Sequence, residues 1–86
     1  MEHKTKIEYP GEMSQLVTDL CKLRYDVLTQ FLEMLSFVLV MDGLEDKAKG
    51  KIMLGDALCS ASKFIEDSAF CVKEAWKICK PFTKEN

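Results

Sequence analysis

The feature that most constrains this chain is the segment from Glu12 to Asp42, which contains neither proline nor glycine. Its apolar side chains follow an alternating four- and three-residue spacing, typical of a helix that presents one face to a partner helix. The positions are Met13, Val17, Leu20, Arg24, Val27, Phe31, Met34, Val38 and Met41. Pro10 precedes the segment and Gly43 follows it, so the sequence predicts a helix over residues 12–42.

The remaining side chains of this helix divide into two groups. Leucines widen the apolar face, at positions Leu16, Leu23, Leu28, Leu32, Leu35 and Leu39. The opposite face is predicted to be exposed to solvent and carries Asp19, Lys22, Asp26, Thr29, Gln30, Glu33 and Ser36. The sequence thus predicts an amphipathic helix with a broad apolar side.

The second half of the chain repeats the pattern at Leu54, Leu58, Ala61, Ile65, Ser68, Val72, Ala75, Cys79 and Phe82. The small residues Ala61, Ser68 and Ala75 recur at one heptad position, where a neighbouring helix can approach closely. Pro81 ends the pattern, because proline disfavours the helical conformation of the residue before it. We therefore predict a second helix over residues 45–80. A kink and a full break at Gly50 or Gly55 both remain open.

These segments predict an all-α protein with a single helical domain over residues 1–86. Hydrophobic residues make up 48% of the chain and charged residues 30%, which excludes a disordered tail. The two helices are expected to form a long antiparallel hairpin, flanked by an extended N-terminal arm (1–11) and a C-terminal tail (81–86).

Residues 31–41 predict a second copy of the chain, because only Glu33 and Ser36 are polar among them. A helix that is apolar most of the way round must be covered on more than one side. The simplest solution is a homodimer that forms a four-helix bundle. The predicted dimer interface consists of Phe31, Met34, Phe37, Val38, Val40 and Met41. The apolar stretch falls short of the ~20 residues of a membrane-spanning helix, so we predict no membrane span.

Charge and cysteine content narrow the functional classes. Twelve basic and fourteen acidic residues give a net charge of −2 without a concentrated basic patch, which argues against nucleic-acid binding. The four cysteines lack metal-binding spacing, and the N-terminal residues lack the apolar run of a secretory signal. We therefore expect reduced thiols and a cytoplasmic protein.

Catalytic patterns are missing from the sequence. The single histidine, His3, lies in the predicted arm, and Glu33 has no partner ligands for a metal site. Gly50 and Gly55 have the spacing of a phosphate-binding loop, but Asp56 and Ala57 follow where that loop needs lysine and serine or threonine. We predict that the protein is not an enzyme and requires no metal or cofactor.

Two groups of residues are candidates for binding. Arg24 interrupts the apolar seam, where we expect Glu66 or Asp67 as its partner. With Phe31 and Met34 it could line a pocket for a small apolar or anionic ligand. The second group, Phe70, Lys73, Trp76 and Lys77, is a possible docking site for a protein partner. The preferred function is a homodimeric interaction or adaptor module, with a ligand binder and an acidic nucleic-acid-binding regulator as alternatives.

Overall fold

The computed structural model describes residues 3–82, and this part of the chain is all-helical, with no strand. Three α-helices follow one another: α1 (Met13–Cys21), α2 (Tyr25–Ala48) and α3 (Ile52–Cys79). A 3₁₀ turn over Lys80–Phe82 follows α3. Helices α2 and α3 pack against each other as an antiparallel hairpin, so the predicted architecture is confirmed at this level.

The helix predicted over residues 12–42 is interrupted before α2. Arg24 is extended, with φ −58° and ψ 143°. Asp26, in the first turn of α2, accepts hydrogen bonds from the Val27 amide at 2.9 Å and from the Arg24 guanidinium at 2.7 and 2.9 Å. A carboxylate at this place satisfies a free amide and favours a helix start, and it does so without proline or glycine. The unbroken helix was therefore a wrong prediction.

The connection between α2 and α3 lies at Gly50, not at Gly43. Gly50 has a φ of +86°, which side chains other than glycine rarely adopt. The Lys51 amide donates to the Asp46 carbonyl at 2.8 Å, and the Gly50 amide donates to Lys47 at 3.0 Å. These two bonds form a Schellman motif that closes α2. The predicted boundaries at 42 and 45 were wrong, and the break left open between the two halves falls at Gly50.

The chain ends of the described region agree with the sequence. α3 ends at Cys79, just before Pro81, as predicted. Residues 3–11 of the predicted arm contain neither helix nor strand. The last four residues of the predicted C-terminal tail, 83–86, lie outside the described residues.

A pair of serines fixes the register of α2 against α3. The Ser36 hydroxyl donates to the Ser62 carbonyl at 2.9 Å, and the Ser62 hydroxyl donates to the Ser36 carbonyl at 2.7 Å. The two hydroxyl oxygens lie 2.9 Å apart. Both residues are buried, and each hydroxyl satisfies a polar group of the other helix.

One heptad from the serines, the helix backbones touch. A Cβ built on Gly43 would lie 2.9 Å from the Gly55 carbonyl oxygen, and one built on Gly55 would lie 2.6 Å from that of Gly43. Glycine is required at both positions, because no Cβ fits at these distances. In the opposite direction, the same register places Thr29 level with Ala69, and both are buried.

The hairpin seam therefore consists of small residues at heptad spacing. In α2 they are Thr29, Ser36 and Gly43, and in α3 they are Gly55, Ser62 and Ala69. The prediction that Thr29 and Ser36 lie on the solvent-exposed face was wrong, because both are buried. The predicted small-residue column Ala61, Ser68 and Ala75 lies one position from the column that the structure buries.

Candidate interaction surface of the helical hairpin

The small residues in the seam leave the large apolar side chains on the outside. Ala69 is the only buried hydrophobic residue in the described part of the chain, and no large side chain there is fully buried. Soluble proteins place their large apolar side chains in a packed interior. The exposed apolar surface is therefore the candidate functional site.

One stripe of this surface runs along the side of α2 that faces away from α3. It comprises Phe31, Met34, Val38 and Met41, and we call these four residues the outer ridge. Their exposed fractions are 39%, 71%, 54% and 50%. All four belong to the predicted heptad seam, yet all four are exposed in the hairpin.

Two further members of the predicted dimer interface lie elsewhere. Phe37 is 63% exposed and Val40 is half-buried. At about 100° per residue, both lie on a broad side of the hairpin, away from the outer ridge. The six predicted interface residues thus divide between two surfaces.

The broad side near Phe37 also carries most of the charge, and we call it the charged face. Its polar residues are Asp26, Gln30 and Glu33 in α2 and Asp56, Lys63, Glu66, Lys73 and Lys77 in α3. Lys47 reaches Asp56 across the helices at 2.7 Å, and this hydrogen bond raises the pKa of Lys47. Exposed pairs of this kind add little stability, but they show that the charged groups of this face are solvated.

The opposite broad side is apolar, and we call it the leucine face. It consists of Leu28, Leu32, Leu35 and Leu39 from α2 and Leu54, Leu58, Ile65 and Val72 from α3. Leu35 is 38% exposed and Leu54 is 47% exposed, and the other six are half-buried. Both helices contribute to this side, because Leu39, Leu54 and Leu58 line one cavity of about 340 Å³. The same cavity is lined by His3, Asp42, Glu45, Asp46 and Lys51, so the end of the leucine face near the α2–α3 turn is charged.

Arg24 lies at the open end of the hairpin. Its guanidinium pairs with Asp26 at 2.7 Å and lies over the ring of Trp76, 5.3 Å from the ring centroid. Hydrogen bonding to Arg24 lowers the pKa of the Asp26 carboxyl. The predicted seam position of Arg24 was wrong, and Asp26 occupies the place expected for Glu66 or Asp67.

The structure does not bring the predicted ligand-binding residues together. Arg24 lines a cavity of about 260 Å³ with Trp76 and Cys79. Phe31 and Met34 lie on the outer ridge and do not line that cavity.

The predicted docking residues are close together on α3. Phe70 is 64% exposed, and Lys77 pairs with Glu74 at 3.0 Å. Trp76 is half-buried beneath Arg24 and, with Lys73, lines a cavity of about 210 Å³. The side chain of Trp76 is thus held by contacts within the hairpin.

The potential metal ligands of residues 3–82 lie apart from one another. No group of three or more His, Cys, Asp or Glu side chains there is placed to hold a metal ion. None of Cys21, Cys59, Cys71 and Cys79 forms a disulfide bond, and Glu33 is exposed.

The apolar character of α2 exceeds what residues 31–41 alone indicated. By length and composition, this helix of 24 residues is able to cross a membrane, and only 17% of its most apolar window is buried. The core helix of a soluble protein meets the same criterion, so the predicted absence of a membrane span stays a prediction.

The small seam residues are the feature that sequence reasoning missed. Their signal is present in the sequence as two columns of small residues seven apart.

Comparisons with protein family models, curated proteins and solved structures find no match to this chain.

Proposed function

We propose that this chain is an interaction module that works as a homodimer, in which two helical hairpins form a four-helix bundle. The observation that carries the proposal is the absence of a fully buried large side chain in residues 3–82. Burial of a Leu, Ile, Phe or Met side chain contributes about 1.5–3 kcal/mol, and a domain needs many such contributions to offset its chain entropy. A partner must supply them.

The surface area supports the same proposal. The chain exposes 7219 Å², whereas a compact monomer of its mass exposes about 5,200 Å². Its radius of gyration is 15.8 Å, compared with about 12 Å for a compact domain of this length. The excess of roughly 2,000 Å² exceeds the share of about 800 Å² that each partner contributes to a standard interface.

A second copy is the simplest partner for such a surface. Two-fold dimers are the commonest oligomers, and a hairpin with one apolar side is self-complementary. In a four-helix bundle, each hairpin supplies two of the helices around a shared apolar core. The proposal assigns binding, not catalysis, to the assembled dimer.

The alternatives have less support. A ligand site built from Arg24, Phe31 and Met34 lacks a common cavity. On the charged face, Lys63, Lys73 and Lys77 alternate with acidic residues, so no continuous basic track for a phosphate backbone forms there.

Sedimentation equilibrium tests the dimer over about 1 to 100 μM protein, with circular dichroism on the same samples. We expect a mass of twice 9.8 kDa and a loss of helical signal when dilution dissociates the dimer. A stable monomer that keeps its full helical signal at every concentration contradicts the proposal. Partition of a monomer into lipid vesicles would assign the apolar surface to a membrane instead.

A further inference from the structure

Three surfaces of the hairpin are candidates for the dimer contact: the outer ridge, the charged face and the leucine face. They differ in width, charge and the number of helices that build them. These differences identify one of the three, on the premise that the proposed dimer exists.

The outer ridge is too narrow to hold two hairpins together by itself. It is a single stripe of side chains on α2, and α3 contributes nothing to it. Packing two hairpins along this stripe would leave the leucine face of both copies in water. A four-helix bundle instead needs a surface to which both helices of each hairpin contribute.

The charged face is wide enough, but its centre is polar. Glu33, Glu66 and Lys73 lie near the seam on this side, at about 100° per residue. A copy stacked here would remove these charges from water, and each would need a partner of opposite charge in the second copy. Buried charges of this kind cost more than their pairing returns.

The leucine face is built by both helices, and its centre is apolar. Between Leu28 and Leu39 on α2, and between Leu54 and Val72 on α3, neither helix carries a charged residue on this side, and Asp42, Asp46 and Lys51 lie at its end near the α2–α3 turn. All the acidic and basic side chains of α3 project toward the charged face or the outside of the hairpin. Its eight side chains are half-buried or more exposed, so another helical layer has apolar area to cover.

We propose that the second copy docks on the leucine face, so that two hairpins stack broad side to broad side. The outer ridge then lies at the corner of the bundle and remains in contact with solvent. The chain as a whole has a surface excess of roughly 2,000 Å², and each copy in a standard interface buries about 800 Å².

The N-terminal arm does not fill this surface. His3 shares the cavity of about 340 Å³ with Leu39, Leu54 and Leu58 near the α2–α3 turn, so the arm reaches that end of the leucine face. Helix α1 makes no extensive contact with α2 or α3. Most of the face is therefore free for a second copy.

Two neighbouring substitutions test the choice of face. Leu35→Glu places a charge on the leucine face, and Met34→Glu places the same charge on the outer ridge, one position away in the same helix. We expect Leu35→Glu to weaken dimerisation by about 100-fold or more, because a two-fold interface contains the change twice. Met34→Glu should change the dimer dissociation constant by less than about threefold.

The outcomes separate this inference from the proposed function. If Met34→Glu dissociates the dimer, or if Leu35→Glu leaves it intact, the leucine face is not the interface. Either result leaves the proposed homodimer itself supported. If the unmodified chain is a monomer, the proposed function fails, and this inference fails with it. Circular dichroism of both variants at high concentration shows whether each retains its helices.

A second measurement avoids a new charge. Leu35→Cys and Met34→Cys are made separately in a chain whose four native cysteines are serine, and a hydrophilic maleimide measures thiol reactivity. We expect the thiol at position 35 to react at least about tenfold more slowly as the protein concentration rises through dimer formation, and the thiol at 34 to react unchanged. Equal protection at both positions overturns the inference. Protection by phosphatidylcholine vesicles, without any effect of protein concentration, also overturns it and assigns the face to lipid.

Discussion

Replacing Gly55 with alanine tests the backbone contact in the hairpin seam, because the structure and helix propensity predict opposite signs. The new Cβ would lie 2.6 Å from the Gly43 carbonyl oxygen and 3.1 Å from the Lys47 amide nitrogen. It would also lie 2.5 Å from Cγ of Lys47, but that side chain can rotate away. The backbone of α2 cannot, so the two helices must separate locally by roughly 0.8 Å to reach ordinary contact.

The magnitude follows from three contributions. Alanine in place of glycine stabilises a helix interior by about 1 kcal/mol. Overpacking at a tight contact costs about 1–3 kcal/mol. The separation also lengthens the bonds between Ser36 and Ser62, one heptad away, each of which contributes about 0.5–1.5 kcal/mol. We expect a net loss of about 1–2 kcal/mol in the free energy of unfolding.

Urea denaturation, followed by circular dichroism at one fixed protein concentration, measures this loss. Ser60→Ala is the matched control, because Ser60 is exposed on the same helix. It should raise stability by a few tenths of a kcal/mol, as expected from helix propensity alone. If Gly55→Ala also raises stability, by about 1 kcal/mol, the close contact of the two backbones does not exist.

Three further predictions concern the serine pair, the turn at Gly50 and the hydrogen bond between Tyr9 and Asp19. Ser36→Ala and Ser62→Ala should each lower stability by about 1 kcal/mol, and the double variant should lose less than the sum, as a double-mutant cycle measures; additive losses would contradict the reciprocal pair. Gly50→Ala should destabilise the protein by about 1 kcal/mol, because its φ of +86° strains alanine although no atom lies within 4 Å of the added carbon; an unchanged urea midpoint would refute this. The hydrogen bond from Tyr9 lowers the pKa of Asp19, so its contribution should be present above the unfolded carboxyl pKa of about 3.9 and be lost as pH falls through the folded value. NMR titration should give a higher Asp19 pKa in Tyr9→Phe than in the unmodified chain, and equal values would exclude the contact.

The sequence predicted the helical hairpin because its evidence is periodic and long. It also placed the end of α3 correctly, since Pro81 acts through local sterics alone. Leu58, Ile65 and Val72 of the second predicted seam lie beside the real seam in the structure, where they are half-buried. These results follow from local rules that need no knowledge of a partner.

The orientation of α2 was not predictable by the same rules. Periodicity ranks helix faces by hydrophobicity, so Thr29 and Ser36 were placed in water and the outer ridge in the interior. The structure reverses this, because two helices approach most closely where side chains are small and where hydroxyls find carbonyls. Gly43 was taken for a helix end for a similar reason: a glycine that permits close approach looks in sequence like one that permits a turn.

The seam of small residues also sets how the hairpin responds to temperature. Its closest contacts are hydrogen bonds and backbone contacts, and Ala69 is the only fully buried hydrophobic residue in the described chain, while the neighbouring leucines are half-buried. Heat-capacity changes on unfolding scale with the apolar area that becomes exposed. Separation of α2 from α3 should therefore have a small heat-capacity change and a flat dependence on temperature. The curvature of the stability profile, and any weakening in the cold, would arise where the large apolar side chains meet their partner.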